Sequence, residues 1–131
     1  MHATTAQQIR DTLDASNAGR IHFGQVVGQL TAAGVESYLI DYRSQQATYH
    51  LGTDESLVLP APAADVAIGQ AFDGDAVRAA IRGAQQGSVM YPAFKRLTMQ
   101  AGCIGYIVWL AGRHVSYLGR RGEVHVERFP D

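Results

Sequence analysis

Apolar residues along this chain recur every three to four positions in four stretches and alternate with polar ones in five others. TTAQQIRDTLDASNAG sets Ile9 and Leu13 four apart, with a threonine at 4 or 5 as cap and Gly19 as terminator, and so predicts a helix. HFGQVVGQLTAAG predicts a second helix, with Phe23, Val26, Val27 and Leu30 on one face and Gly34 at its end. VESYLIDYR alternates and is rich in β-formers, and a short SQQ loop returns it into ATYHLG, which makes a hairpin. LVLPAPAAD is the least regular stretch; its two prolines predict a loop or a sheet edge.

The second half repeats this order of helix, helix, strands, although its residues show no internal repeat. DGDAVRAAIRGAQQG carries an aspartate cap, a narrow stripe of Val77, Ala80, Ile81 and Ala84, and Gly87 at its end, with Arg78, Arg82 and Gln85 on the opposite face. YPAFKRLTMQAG has Pro92 in the first turn, Phe94, Leu97 and Ala101 facing inward, and Gly102 as terminator. CIGYIVWLA, HVSYLG and EVHVERF predict three strands joined by two-residue turns at Gly112-Arg113 and Arg121-Gly122. The expected fold is a single α+β domain over residues 1–131. It has about five antiparallel strands, an N-terminal hairpin plus a C-terminal three-strand meander, with about four helices packed mainly on one face.

Those turns set a register, and the register sorts side chains onto faces. It predicts Val108, Tyr117 and Val126 side by side on the helix-covered face, together with Ile104, Tyr106, Leu110, Val115 and Val124. The other face receives Trp109, Ser116 and Glu127 in one row and Ile107, Leu118 and His125 in the next, with His114, Arg120 and Glu123 at the edges. Three apolar groups, Ile107, Trp109 and Leu118, are too many for a face left in water. A homo-oligomer covering Trp109, rimmed by His114, Arg120, Glu123 and Glu127, is the expected partner arrangement unless LVLPAPAAD folds over that face.

Composition narrows the classes. The chain has 131 residues, 47% hydrophobic and 18% charged, which is globular and leaves few charges to cover the surface. Cys103 is the only cysteine, so an intrachain disulfide and a cysteine-based zinc cage are both excluded. No apolar run reaches the ~18 residues of a membrane span, and MHATTAQQIR is no secretory signal, so a cytoplasmic protein is expected. The net charge of −1 divides unevenly: residues 1–77 hold three basic and nine acidic groups, and residues 78–131 eight basic and three acidic. The basic half lacks zinc-finger spacing and a helix-turn-helix, so a nucleic-acid partner is not expected.

Chemistry concentrates in HVSYLGRRGEVHVERFP, residues 114–130. His125 and Glu127 share a strand face, and the expected register sets Ser116 beside Glu127. A serine–histidine–acid relay needs the histidine between the other two, which this order does not supply. His125 and Glu127 offer two metal ligands about 7 Å apart, and a zinc site would need a third from His114 or His50, so no metal and no cofactor are expected. Cys103 is either a nucleophile near His125 or a small buried hydrophobe. The six tyrosines, at 38, 42, 49, 91, 106 and 117, read as core residues with wet hydroxyls or as the wall of a ligand pocket. No phosphate-binding glycine loop is present.

LTAAGVESYLIDYR with ATYHLG, AIRGAQQGSVMYPAF and above all AGCIGYIVWLAGRHVSYLGRRGEVHVERFP resemble the YbcV-like family of small bacterial and prophage-associated proteins, over roughly residues 5 to 130. The resemblance implies a compact α+β domain and carries no catalytic residues or cofactor. The expected function is a binding or interaction module acting as a homo-oligomer; the alternative is a small hydrolase- or transferase-like enzyme using His125, Glu127 and Ser116.

Overall fold

The computed structural model describes residues 1–130, which form two helices and three strands twice over. The first half runs α1 (Ala3–Asn17), α2 (Phe23–Ala32), β1 (Val35–Asp41), β2 (Gln46–Leu51) and β3 (Ser56–Pro60). The second runs α3 (Gly74–Gln85), α4 (Tyr91–Gln100), β4 (Cys103–Trp109), β5 (His114–Gly119) and β6 (Val124–Arg128). All strand pairs are antiparallel and lie in one six-stranded sheet, in the order β3-β2-β1-β4-β5-β6.

The sheet has six strands where about five were expected, because SLVLP pairs with β2 as an edge strand. Pro60 closes that edge, where a missing N–H costs no ladder bond. LVLPAPAAD therefore does not fold over the Trp109 face. The chain beyond it packs instead on the end of α4, where Gly69 N donates to Met99 O and Asp73 N to Ala101 O. Gly102 permits that approach: its φ is +94°, and a Cβ there would stand 2.1 Å from Ala71 O.

The two halves repeat without a gap. Each strand of the second half begins 68 positions after its counterpart: Val35 and Cys103, Gln46 and His114, Ser56 and Val124. The same spacing links the left-handed residues Gly19 and Gly87, Gly34 and Gly102, Gln45 and Arg113, and Asp54 and Gly122. A repeat hidden in the residue identities is thus plain in the backbone, because turn conformation and burial survive substitutions that erase identity. Tyr38 and Tyr106, and Tyr49 and Tyr117, are matched pairs that kept their residue.

Loop lengths correct the expected register. Of Gly112 and Arg113 only Arg113 has a positive φ, so a two-residue type I′ turn is not formed. The loop spans residues 110–113 and pairs Trp109 with His114, Val108 with Val115 and Tyr106 with Tyr117. That is a slip of two, which keeps the faces. The next loop has three residues, 120–122, closed by Gly119 N donating to Glu123 O, with Gly122 left-handed. It pairs Tyr117 with His125, a slip of one from the expected register, and so exchanges the faces of β6. Val108, Tyr117 and Val126 are consequently not neighbours: Val124 and Val126 point to the open face, and His125 and Glu127 to the helices.

The helices cover one face, where Ile9, Leu13, Val26, Leu30, Val77, Ile81 and Phe94 meet Tyr38, Ile40, Tyr49, Tyr106, Val108, Val115 and Tyr117 in a single core. Burying these side chains contributes roughly 1.5–3 kcal/mol each by area. α3 starts where Asp73 accepts from Ala76 N at 3.1 Å, the expected aspartate cap. α1 starts at Ala3, which puts Thr4 and Thr5 inside the helix and not at its cap. Tyr42 reaches Thr98 Oγ1 at 2.8 Å, and among the described residues no buried side-chain polar atom lacks a partner.

Candidate functional site

A cavity of about 470 Å³ lies between the helix layer and the sheet. Its wall includes Tyr38, Tyr91, Phe94, Tyr106 and Tyr117, closed at the rim by Phe129. The size suits a small organic ligand, and the lining is mostly apolar with a few polar groups, as such sites require. Tyr38 and Tyr106 hold equivalent positions in the two halves, as do Val26 and Phe94 and Ser16 and Ala84, all on the wall. The cavity therefore draws both repeats together and extends into the second one.

Two polar features face it. Tyr106 donates its hydroxyl proton to Tyr91 Oη at 2.9 Å. Burial pushes the Tyr91 phenol up to about 12, against hydrogen bonds from Tyr106 and Tyr42, and pushes Tyr106 well above its usual range, so both remain protonated at neutral pH. At the mouth stands Glu127. Its Oε2 accepts from Arg82 of α3 at 2.9 Å, and its Oε1 lies 3.3 Å from His125 Nε2. Partial burial raises the Glu127 carboxyl, but the hydrogen bonds and charges of Arg82 and His125 outweigh it and hold it below the usual carboxylate value. The His125 ring lies 6.3 Å from that of Tyr117, which leads from the mouth to the cavity floor.

Of the residues expected together, His125 and Glu127 do meet, through the two-residue spacing of a strand. Ser116 does not join them. It lies on the opposite face, where Trp109 Nε1 donates to its Oγ at 3.2 Å. The odd loop of residues 120–122 is the cause, since it turned β6 over. His114 and His50 also belong to the open face, paired with Trp109 and Ser37. Among the described residues no three histidine, cysteine, aspartate or glutamate side chains gather as metal ligands. Cys103 is 0% exposed, and desolvation pushes its thiol up to about 12, the state of a buried hydrophobe and not of a nucleophile.

The open face carries three rows that cross all six strands. The middle one reads Val58, Thr48, Leu39, Ile107, Ser116, Val126. Trp109 lies in the row on one side, and Leu118 and Val124 in the row on the other. Val58, Val124 and Val126 are 52%, 53% and 54% exposed and Trp109 is 39% exposed, so nothing among the described residues covers these positions of the band. Ile107, Trp109, Leu118 and His114 thus share the face expected of them. Arg120 does not: its guanidinium donates to Ile68 O and Gly69 O at 3.3 Å and ties down the connection between the halves. Glu123 is equally occupied, accepting from Arg121 N at 2.8 Å within its own turn.

No helix among the described residues is long and apolar enough to cross a membrane. No family model matches the sequence, and no curated protein matches it as a relative.

Proposed function

We propose that this chain is a binding module that works as a homo-oligomer, two copies pairing through their open sheet faces. The observation that carries this reading is the exposed apolar band from Val58 to Val126. The occupant is a second copy because each copy carries the same exposed apolar band, and two such bands cover one another. Leu39 and Ile107 lie at its centre, and Val58 and Val126 at its ends, as equivalent positions of the two halves. An isologous contact sets one patch against the same patch of a second copy, so apolar residues along the whole row meet apolar residues. Six strands about 4.8 Å apart, each about six residues at ~3.3 Å, make a face of roughly 550 Å² in projection. Side-chain relief raises the accessible area toward the ~800 Å² per partner of an ordinary stable interface. A cytoplasmic setting and membership of the YbcV-like family belong to the same reading, supported by the sequence features that suggested them.

At about 50 μM the protein should elute as a dimer in light-scattering chromatography, and Trp109→Glu should elute as a monomer with an unchanged circular dichroism spectrum. A monomeric wild type at that concentration removes the proposal. The enzymatic alternative draws support from the His125–Glu127 pair at the mouth of the cavity. It then requires a nucleophile other than Ser116, such as water or a group of the substrate.

A further inference from the structure

We propose that the tyrosine-walled cavity is a binding site for a small protonated aromatic amine, whose rings lie among Tyr38, Tyr106 and Tyr117 and whose ammonium sits at Glu127. Three observations carry this independently of the oligomeric state.

The first is volume: about 470 Å³ between helices and sheet is far more than the methyl-sized voids of a packed core. A smaller void of about 20 Å³ adjoins it toward α1, among Leu13, Leu30 and Tyr49, and shares Tyr38, Tyr91 and Tyr106 with it. The second is the wall. Aromatic faces carry negative quadrupole potential and attract an organic cation as well as a second ring.

The third is charge. Glu127 and Arg128 are the charged residues on the wall, and strand alternation sends the Arg128 side chain to the open face beside His114. A carboxylate is thus left facing the helix side. Its present partners are Arg82, about half exposed, and His125, at 2.9 and 3.3 Å, while the Glu127 side chain itself is 18% exposed; a ligand ammonium joins this cluster on the cavity side of the carboxylate, where the mobile Arg82 side chain gives way most readily. The Tyr91–Tyr106 hydroxyl pair supplies a neutral hydrogen-bonding point at a different part of the wall. An anionic ligand would meet Glu127 and the ring faces with the wrong sign.

The test uses three probes of one shape: tryptamine (cation), tryptophol (neutral) and indole-3-acetate (anion), titrated calorimetrically into the full-length protein. The expected order is tryptamine first, with a dissociation constant on the order of 0.1–1 mM for a ligand of this size. Tryptophol should be weaker, and indole-3-acetate at least ten-fold weaker than tryptamine. Glu127→Gln should bring tryptamine down to the level of tryptophol, and Ala84→Phe, which fills the wall from α3, should weaken all three. Thermal melts establish that both variants are folded, and Glu127→Gln, a near-isosteric change at the mouth, serves should Ala84→Phe not fold. The Trp109→Glu variant should keep the wild-type affinity, because its face is on the other side of the sheet. Failure of all three probes to bind at millimolar concentration overturns the proposal. So does equal affinity for the anion, or tryptamine binding unchanged by Glu127→Gln.

Discussion

Glu127 shows how one side chain's surroundings set its charge. Its carboxyl is held below the ordinary value, so the folded state binds its proton less readily than the unfolded chain. The stability it contributes is complete above the unfolded value near 4.5 and is lost as pH falls through the lower folded value. The melting-temperature difference between wild type and Glu127→Gln should therefore be constant above about pH 6 and shrink on acidification. A difference that grows toward low pH would contradict the assignment. Cys103 is the opposite case, a group silenced by its surroundings. Its thiol is fully buried and pushed up to about 12, so it should resist a thiol reagent such as dithionitrobenzoate at pH 8 for hours and react at once in guanidinium. Prompt labelling of the native protein would show that the strand end opens.

At the level of elements, loops govern what the strands present. A four-residue loop and a three-residue loop follow one another in each half, each ending in a left-handed residue, Gln45 and Asp54 in the first and Arg113 and Gly122 in the second. The three-residue loop decides which face of the edge strand meets the helices. Glycines at other junctions differ in what they permit, and two substitutions separate the cases. Gly102→Ala should destabilise by about 2–4 kcal/mol, since φ +94° is strained for alanine and the new Cβ collides with backbone at Ala71. Gly28→Ala, in the exposed middle of α2 with nothing within 4 Å, should stabilise by about 1 kcal/mol. Chemical denaturation of both variants measures the contrast; equal effects would mean the connection before α3 packs loosely.

At the level of the whole molecule, the two repeats are not separate units. β1 and β4 pair at the centre of the sheet, and the core side chains of both halves form one cluster. The helices are all used on one face, which leaves the other with its apolar band in water. If two copies close that band, folding and association are linked. The melting temperature of the wild type should then rise with protein concentration, while that of Trp109→Glu should not. A concentration-independent wild type would agree with the monomeric outcome of light scattering and remove the dimer.

Helical and strand periodicity, proline and glycine placement and the aspartate at α3 were legible in the residues themselves, because they rest on local chemistry: four helices, five of the strands and the antiparallel class follow from them. The sixth strand was legible only as one of two alternatives, since the prolines of LVLPAPAAD allow a loop or a sheet edge, and pairing with β2 decides for the edge. The grouping of Ile107, Trp109 and Leu118 on one face survived a register slip of two, as strand parity guarantees. The grouping of Ser116 with Glu127 did not survive the slip of one at residues 120–122, where tight turns of two and three residues read alike in sequence. The cavity was legible least of all. Its tyrosines read equally well as core, and only the packing of α3 and α4 against β5 and β6 decided that space remains between them. That is a property of distances between elements, which no local pattern encodes.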